Sequence, residues 1–188
     1  MKTKNKIILA SSSPRRKELF DHYGLDYIVD YVKTEEILDK NLTLSKRLEN
    51  VALQKARPLK QKYPDHMIIS GDNMVTYQQQ MLGKPKDRQE ARVMLKKLSG
   101  HQQIVMSAVC IIDGNQEITF CDQTTVIFRQ LSNQEIEQYL DTNEWIGKAG
   151  AYAIQGIAHN FVIEVIGDIE TVIGFPMRLI MNYLNDKK

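Results

Sequence analysis

The sequence predicts an α/β fold on a mixed sheet, and three observations carry that reading. Two short apolar runs bounded by turn residues, Ile7–Ala10 and Met67–Ser70, have the length and composition of buried strands. Several segments place apolar residues at helical spacing behind a capping signal. Two longer strand-like stretches flank Asp113-Gly114-Asn115, a hairpin signal that adds at least one antiparallel pair.

The elements follow in order. After the first strand, Ser13 is an N-cap with Pro14 at the first helical position. Leu19, Phe20 and Tyr23 form the inner face of that helix, and Gly24 stops it. Leu25 to Val32 alternates like a strand. Thr43 to Lys62 reads as a long helix with Leu48, Ala52, Lys55 and Leu59 on one stripe, and Pro58 is expected to kink or shorten it. The strand at Met67–Ser70 is expected to lead into a turn at Gly71-Asp72-Asn73. Asp87 with Glu90 is a capping-box pattern, and Ala91, Met94, Leu95 and Leu98 line the helix up to Gly100. Gln103 to Ile112 and Glu117 to Phe128 make the hairpin. Ser132 with Glu135 caps a further helix carrying Ile136, Tyr139 and Leu140. Glu144 to Ile157 is glycine-rich and turn-like. Phe161 to Ile166 is a strand, and Pro176 opens a last helix with Leu179, Ile180, Tyr183 and Leu184.

With 188 residues, 43% hydrophobic and 26% charged, the chain suits one folded domain spanning 1–188. No repeat, low-complexity tract or linker interrupts it. A net charge of +2 is too small to argue for bulk nucleic-acid binding. Cys110 and Cys121 sit in apolar strand-like stretches with no disulfide or metal-ligand spacing, which fits a reducing cytoplasm. The run Ile7–Ala10 is too short for a secretory signal, and no stretch approaches the ~20 apolar residues of a membrane span.

The chemistry-bearing residues cluster at element ends. In Ser11-Ser12-Ser13-Pro14-Arg15-Arg16-Lys17, a strand turns directly into a helix. Unpaired amides, the helix dipole, hydroxyls and guanidinium groups together suit an anion. Cations at a helix N-terminus oppose its dipole unless an anion meets them, so a plain basic surface turn is the competing reading. Glu35-Glu36 is either a divalent-metal site or a solvated acidic turn. Lys55 falls on the apolar stripe of its helix, where it either snorkels or reaches towards a phosphate. Asp72 follows a buried strand, where α/β sheets place their sites, or simply makes an Asx turn. Lys84 stands on the loop Leu82-Gly83-Lys84-Pro85. Lys148 to Gly156 contains small residues that admit close backbone approach, and Gln155 there offers both a donor and an acceptor, as reading a base edge requires.

Taken together, these stretches resemble the Maf family of nucleotide pyrophosphatases. The motifs "ILASSSPRRKELF", the acid Glu36, "QKA" around Lys55, "GD" at Asp72, "LGKPKD", "MLKKLSG", "KAGAYAIQG" and "IGFPMRLI" occur in the family's order from Ile7 to about Leu184. The resemblance implies an elongated mixed β-sheet flanked by helices, with two lobes and a central cleft, of the Maf/ITPase-like kind. It implies hydrolysis of a nucleoside triphosphate to the monophosphate and pyrophosphate, in the branch acting on dTTP and UTP. By motif matching, Ser11, Arg15, Arg16, Lys55 and Lys84 hold phosphates. Asp72 and Glu36 carry a divalent cation, Mg²⁺ or Mn²⁺, and Asp72 also the attacking water. Gln155, with Arg15 and position 73, shapes base choice. The implied partner is the nucleotide, without a membrane or a stable nucleic-acid complex, and with a homodimer as an open assembly.

Three positions depart from the branch pattern. Asn73 stands where Thr usually follows the Asp, Gly147 where an acid is common, and Ala153 where Gly is common. Preference for a modified or purine nucleotide is therefore a second reading. A non-catalytic regulator of cell division is a third, against which the intact acid and lysine set argues.

Overall fold

A computed structural model of the chain describes residues 6–33 and 36–187. Its strands form a seven-stranded mixed sheet in the order β2-β1-β3-β5-β6-β7, with β4 paired to β3. The strands are β1 Ile7–Ala10, β2 Tyr27–Val29, β3 Met67–Tyr77, β4 Gln80–Leu82, β5 Gln102–Asp113, β6 Gln116–Phe128 and β7 Val162–Ile166. The helices are α1 Pro14–His22, α2 Leu44–Lys62, α3 Arg88–Leu98, α4 Asn133–Asp141, α5 Ile169–Ile173 and α6 Met177–Asp186. The α/β class is the expected one.

The chain divides into two compact units. The first comprises residues 1–72, 107–122 and 174–188, and the second 73–106 and 123–173. In the first unit β1 runs parallel to both β2 and β3, with Leu9 opposite Val29 on one side and Ile69 on the other. Such a strand is covered on both faces, so all four of its residues are apolar and buried. β2 is an outer strand of the sheet. Only Tyr27–Val29 of the expected Leu25–Val32 pairs, because Ile28 and Val29 already face solvent and nothing holds the alternation further.

Thr43 caps α2 as its hydroxyl accepts from the Lys46 amide, and Leu48, Val51, Ala52, Ala56 and Leu59 are buried. Pro58 does not end this helix. It lies on the exposed side near the C-terminus, and the helix continues to Lys62. β3 is longer than expected. Gly71, Asp72 and Asn73 lie inside the strand rather than on a turn after it.

The second unit has its own core. Leu95 and Leu98 of α3 and Tyr139 and Leu140 of α4 pack with Phe128, Tyr152 and Phe161. The Phe128 ring meets Tyr152 edge-on at 4.8 Å, and Tyr139 meets Phe161 at 5.1 Å. Ser132 and Glu135 form the reciprocal capping box of α4. At α3 only half of the expected box forms. Asp87 accepts from the Glu90 amide, while the Glu90 carboxylate turns to the amide of Lys86. The short elements β4 and α5 carry no strong periodic signal, and sequence reading passes over them.

Candidate active site

In the first unit, three of the anticipated residues meet at one atom. The Lys55 ammonium lies 2.7 Å from Asp72 Oδ1 and 2.8 Å from Glu36 Oε1. Local folding explains the meeting. The buried Ser70 hydroxyl donates to the Ala52 carbonyl at 2.5 Å, which seats α2 on β3. Lys55 is one helical turn beyond Ala52, and Asp72 is two residues beyond Ser70 on the same face of the strand. Glu36 is delivered by a loop that Gln54 reads like a neighbouring strand. The Gln54 amide donates to the Ile37 carbonyl at 2.9 Å, and its oxygen accepts the Ile37 N–H at 3.0 Å. Sequence reading missed Gln54, although it is the first letter of "QKA" and an amide is the side chain that matches a peptide on both edges. Glu35, the other half of the anticipated acidic pair, lies outside the described residues.

The serine-arginine turn is built differently from its expected form. Ser13 occupies the N-cap of α1 with extended dihedrals, yet its side chain makes no cap hydrogen bond. The buried Ser11 does the polar work instead. Its hydroxyl oxygen accepts from the Ser13 amide and from Arg16 Nη1, each at 3.2 Å. The two arginines part company here. Arg15 is half-buried, and burial lowers its pKa. Arg16 is buried, and its Nε donates to the Gly174 carbonyl at 3.0 Å and its Nη1 to the Gly71 carbonyl at 2.7 Å. Burial pushes the Arg16 guanidinium down to about 10, against the opposing pull of Asp72.

The second unit carries the remaining anticipated residues. Lys84 is exposed on the loop after β4, between Gly83 and the buried Pro85. The Gly83 carbonyl accepts from the Gly150 amide at 3.1 Å, which ties this loop to the Lys148–Gly156 segment. Gly150 has φ +68, and a Cβ there would lie about 3.1 Å from Val75, so this glycine serves internal packing. Gln155 is exposed on the following turn. Glu144 shapes that turn, since its carboxylate accepts from the amides of Ile157 at 2.9 Å and Ala158 at 3.4 Å. Glu144 was legible only as part of a turn-like stretch. Asn73, partly buried, donates from Nδ2 to the Thr171 carbonyl at 3.2 Å.

The acids test the implied metal. Glu36 and Asp72 both turn a carboxylate oxygen to the Lys55 ammonium, and such hard oxygens are the donors that Mg²⁺ or Mn²⁺ takes. Among the described residues no group of three or more His, Cys, Asp or Glu side chains is placed to hold a metal. A cation held by this pair would replace the ammonium between them and take its other ligands from substrate and water, as Mg²⁺ commonly does. No helix among the described residues is long and apolar enough to cross a membrane.

Comparison with known proteins places the chain in a family. The family model described as Maf-like protein matches residues 6–187. A dTTP/UTP pyrophosphatase of Bacillus velezensis is 41% identical over 181 residues, covering 96% of each chain. The enzyme of that name from Bacillus pumilus is 39% identical over 92% of each chain, and that of Bacillus anthracis is 38% identical over 95% of this chain and 94% of its own. The solved structure of the Staphylococcus aureus Ham1 protein is 11% identical with a TM-score of 0.56, covering 98% of this chain and all of that one, which speaks to the fold alone. The chain belongs to the Maf-like protein family.

Proposed function

We propose that this chain hydrolyses nucleoside triphosphates, dTTP and UTP first among them, to the nucleoside monophosphate and pyrophosphate. The observation that carries the reading is the meeting of Glu36, Lys55 and Asp72 at a single ammonium. The relatives named dTTP/UTP pyrophosphatase support the choice of base and the bond cleaved.

In this reading water attacks the α-phosphorus, Asp72 takes up its proton, the bond from that phosphorus to the bridging oxygen breaks, and pyrophosphate leaves. Ser11, Arg15, Lys55 and Lys84 hold the phosphates, since phosphoryl chemistry is mostly positioning and charge stabilisation. Glu36 and Asp72 would hold a divalent cation, which supplies charge neutralisation on the phosphate oxygens. Asn73 and Gln155, with Arg15, select the base. The full length of the chain serves as one nucleotide-hydrolysing domain.

The test is a panel of nucleoside triphosphates assayed for pyrophosphate release with Mg²⁺ and with Mn²⁺. Turnover of dTTP and UTP above the purine nucleotides is expected. Asp72→Asn should lower turnover by ~10²–10⁴, the usual cost of losing a general base. A variant that keeps more than about a third of wild-type turnover removes Asp72 from that role. An absence of turnover with every nucleotide returns the chain to a non-catalytic reading.

A further inference from the structure

Arg16 sits in the serine-arginine turn, but its Nε and Nη1 donors are turned inward. Nε reaches the Gly174 carbonyl, while Nη1 reaches the Gly71 carbonyl and the Ser11 hydroxyl. Its guanidinium carbon lies 4.8 Å from the centroid of the Phe175 ring, a cation–π distance. The Gly174 carbonyl also accepts from the buried Ser107 hydroxyl at 3.1 Å, so it is held from two sides.

The Gly71 carbonyl belongs to the peptide plane that joins Gly71 to Asp72. A peptide is rigid, so a 2.7 Å bond to its oxygen also fixes the amide and Cα of Asp72. Gly71 itself is also confined. A Cβ at Gly71 would overlap the Phe175 ring and approach the Ala108 carbonyl to 2.6 Å. Arg16 therefore grips, through a single fork and the ring it covers, the backbone that aims the Asp72 carboxylate.

We infer that Arg16 is a positioning residue for Asp72 and not a phosphate ligand, the phosphate role of the pair falling to Arg15. This rests on the role of Asp72 proposed above. Lysine cannot replace the fork, because an ammonium on a flexible stem has no planar pair of donors aimed at two carbonyls.

The experiment combines kinetics with pyrophosphate binding. Turnover of the best nucleotide is measured for wild type, Arg16→Lys, Asp72→Asn and the double variant. Affinity for inorganic pyrophosphate with Mg²⁺ is measured calorimetrically for wild type, Arg16→Lys and Arg15→Ala. Arg16→Lys should lower kcat at least tenfold while KM and the pyrophosphate Kd stay within twofold. Arg15→Ala should raise that Kd at least tenfold. In the Asp72→Asn background, Arg16→Lys should cost no more than a further twofold, because a residue acting through Asp72 has nothing left to position. If Arg16→Lys does not fold, Phe175→Leu removes the ring under the guanidinium and should show the same kcat-only loss, again cancelled by Asp72→Asn. A pyrophosphate Kd raised as in Arg15→Ala overturns the inference, and so does an equal loss of turnover in both backgrounds. Full activity of Asp72→Asn by itself overturns the underlying role of Asp72, and the inference with it.

Discussion

Replacing Lys55 by Met keeps an unbranched apolar stem on α2 and deletes one positive charge between two negative ones. In the folded chain Nζ lies 2.7 Å from Asp72 and 2.8 Å from Glu36. Side-chain exposures are 20% for Lys55, 22% for Asp72 and 48% for Glu36, so the Asp72 bond is sheltered and the Glu36 bond is largely solvated. A charge-assisted hydrogen bond in a sheltered place contributes about 1.5–3 kcal/mol, and an exposed pair adds less than about 1. The two carboxylates left behind also repel. At about 5 Å and an effective dielectric of ~20 that is about 3 kcal/mol, which the exposure of Glu36 reduces to about 1. Added apolar contact of the Met side chain offsets part of this. A net loss of about 2 kcal/mol, or about 4–8 °C in Tm for a chain of this size, is expected without divalent cation. Added Mg²⁺ should then raise the Tm of Lys55→Met more than that of wild type, because it supplies the missing positive charge to an oxygen pair that suits it. The assay is thermal unfolding with and without MgCl₂, against NaCl at matched ionic strength. An unchanged Tm in Lys55→Met would refute the reasoning and restore the snorkelling explanation. An identical Mg²⁺ response in both proteins would separate Glu36 and Asp72 from cation binding.

Three further outcomes are expected. Asn73→Thr should change the ratio of kcat/KM between two of UTP, dTTP, CTP and GTP by roughly tenfold, equivalent to about 1.4 kcal/mol, while a uniform shift would show that position 73 does not read the base. Gly71→Ala should destabilise the fold by about 1–3 kcal/mol in urea unfolding, since the new methyl meets a backbone carbonyl and the Phe175 ring; wild-type stability would mean the strand can yield there. Burial raises the Cys110 thiol from 9.0 to about 12, so the unfolded chain loses that proton first. Its contribution is complete below pH 9 and is lost as pH rises towards 12. Between pH 8 and pH 10, Cys110→Ala should therefore lose about 1 kcal/mol less stability than wild type, and equal losses would contradict the burial argument.

How far the sequence could be read depends on whether a feature is local. β1 appears at its expected bounds because a four-residue apolar run covered on both faces carries its own signal. The capping box at Ser132 is equally self-contained. The extension of β3 through Gly71-Asp72-Asn73 was not legible, since glycine, aspartate and asparagine are turn formers by local preference. Here the strand needs a glycine because a ring and a carbonyl occupy the place of a Cβ. That constraint comes from Ala108 and Phe175, far away in the chain. The same distance effect separates the two arginines. Adjacent in sequence and alike in type, they make one anion-binding turn on paper. Roughly 100° of helix rotation sends Arg16 to the carbonyls of Gly71 and Gly174, while Arg15 stays half exposed. A guanidinium removed from water needs acceptors in its own plane, and backbone carbonyls supply them without adding charge. A motif read as one set of interchangeable cations and hydroxyls thus separates by burial into parts open to solvent and parts that hold the chain still. In this turn, the residue facing inward is the one whose partners sequence could not name.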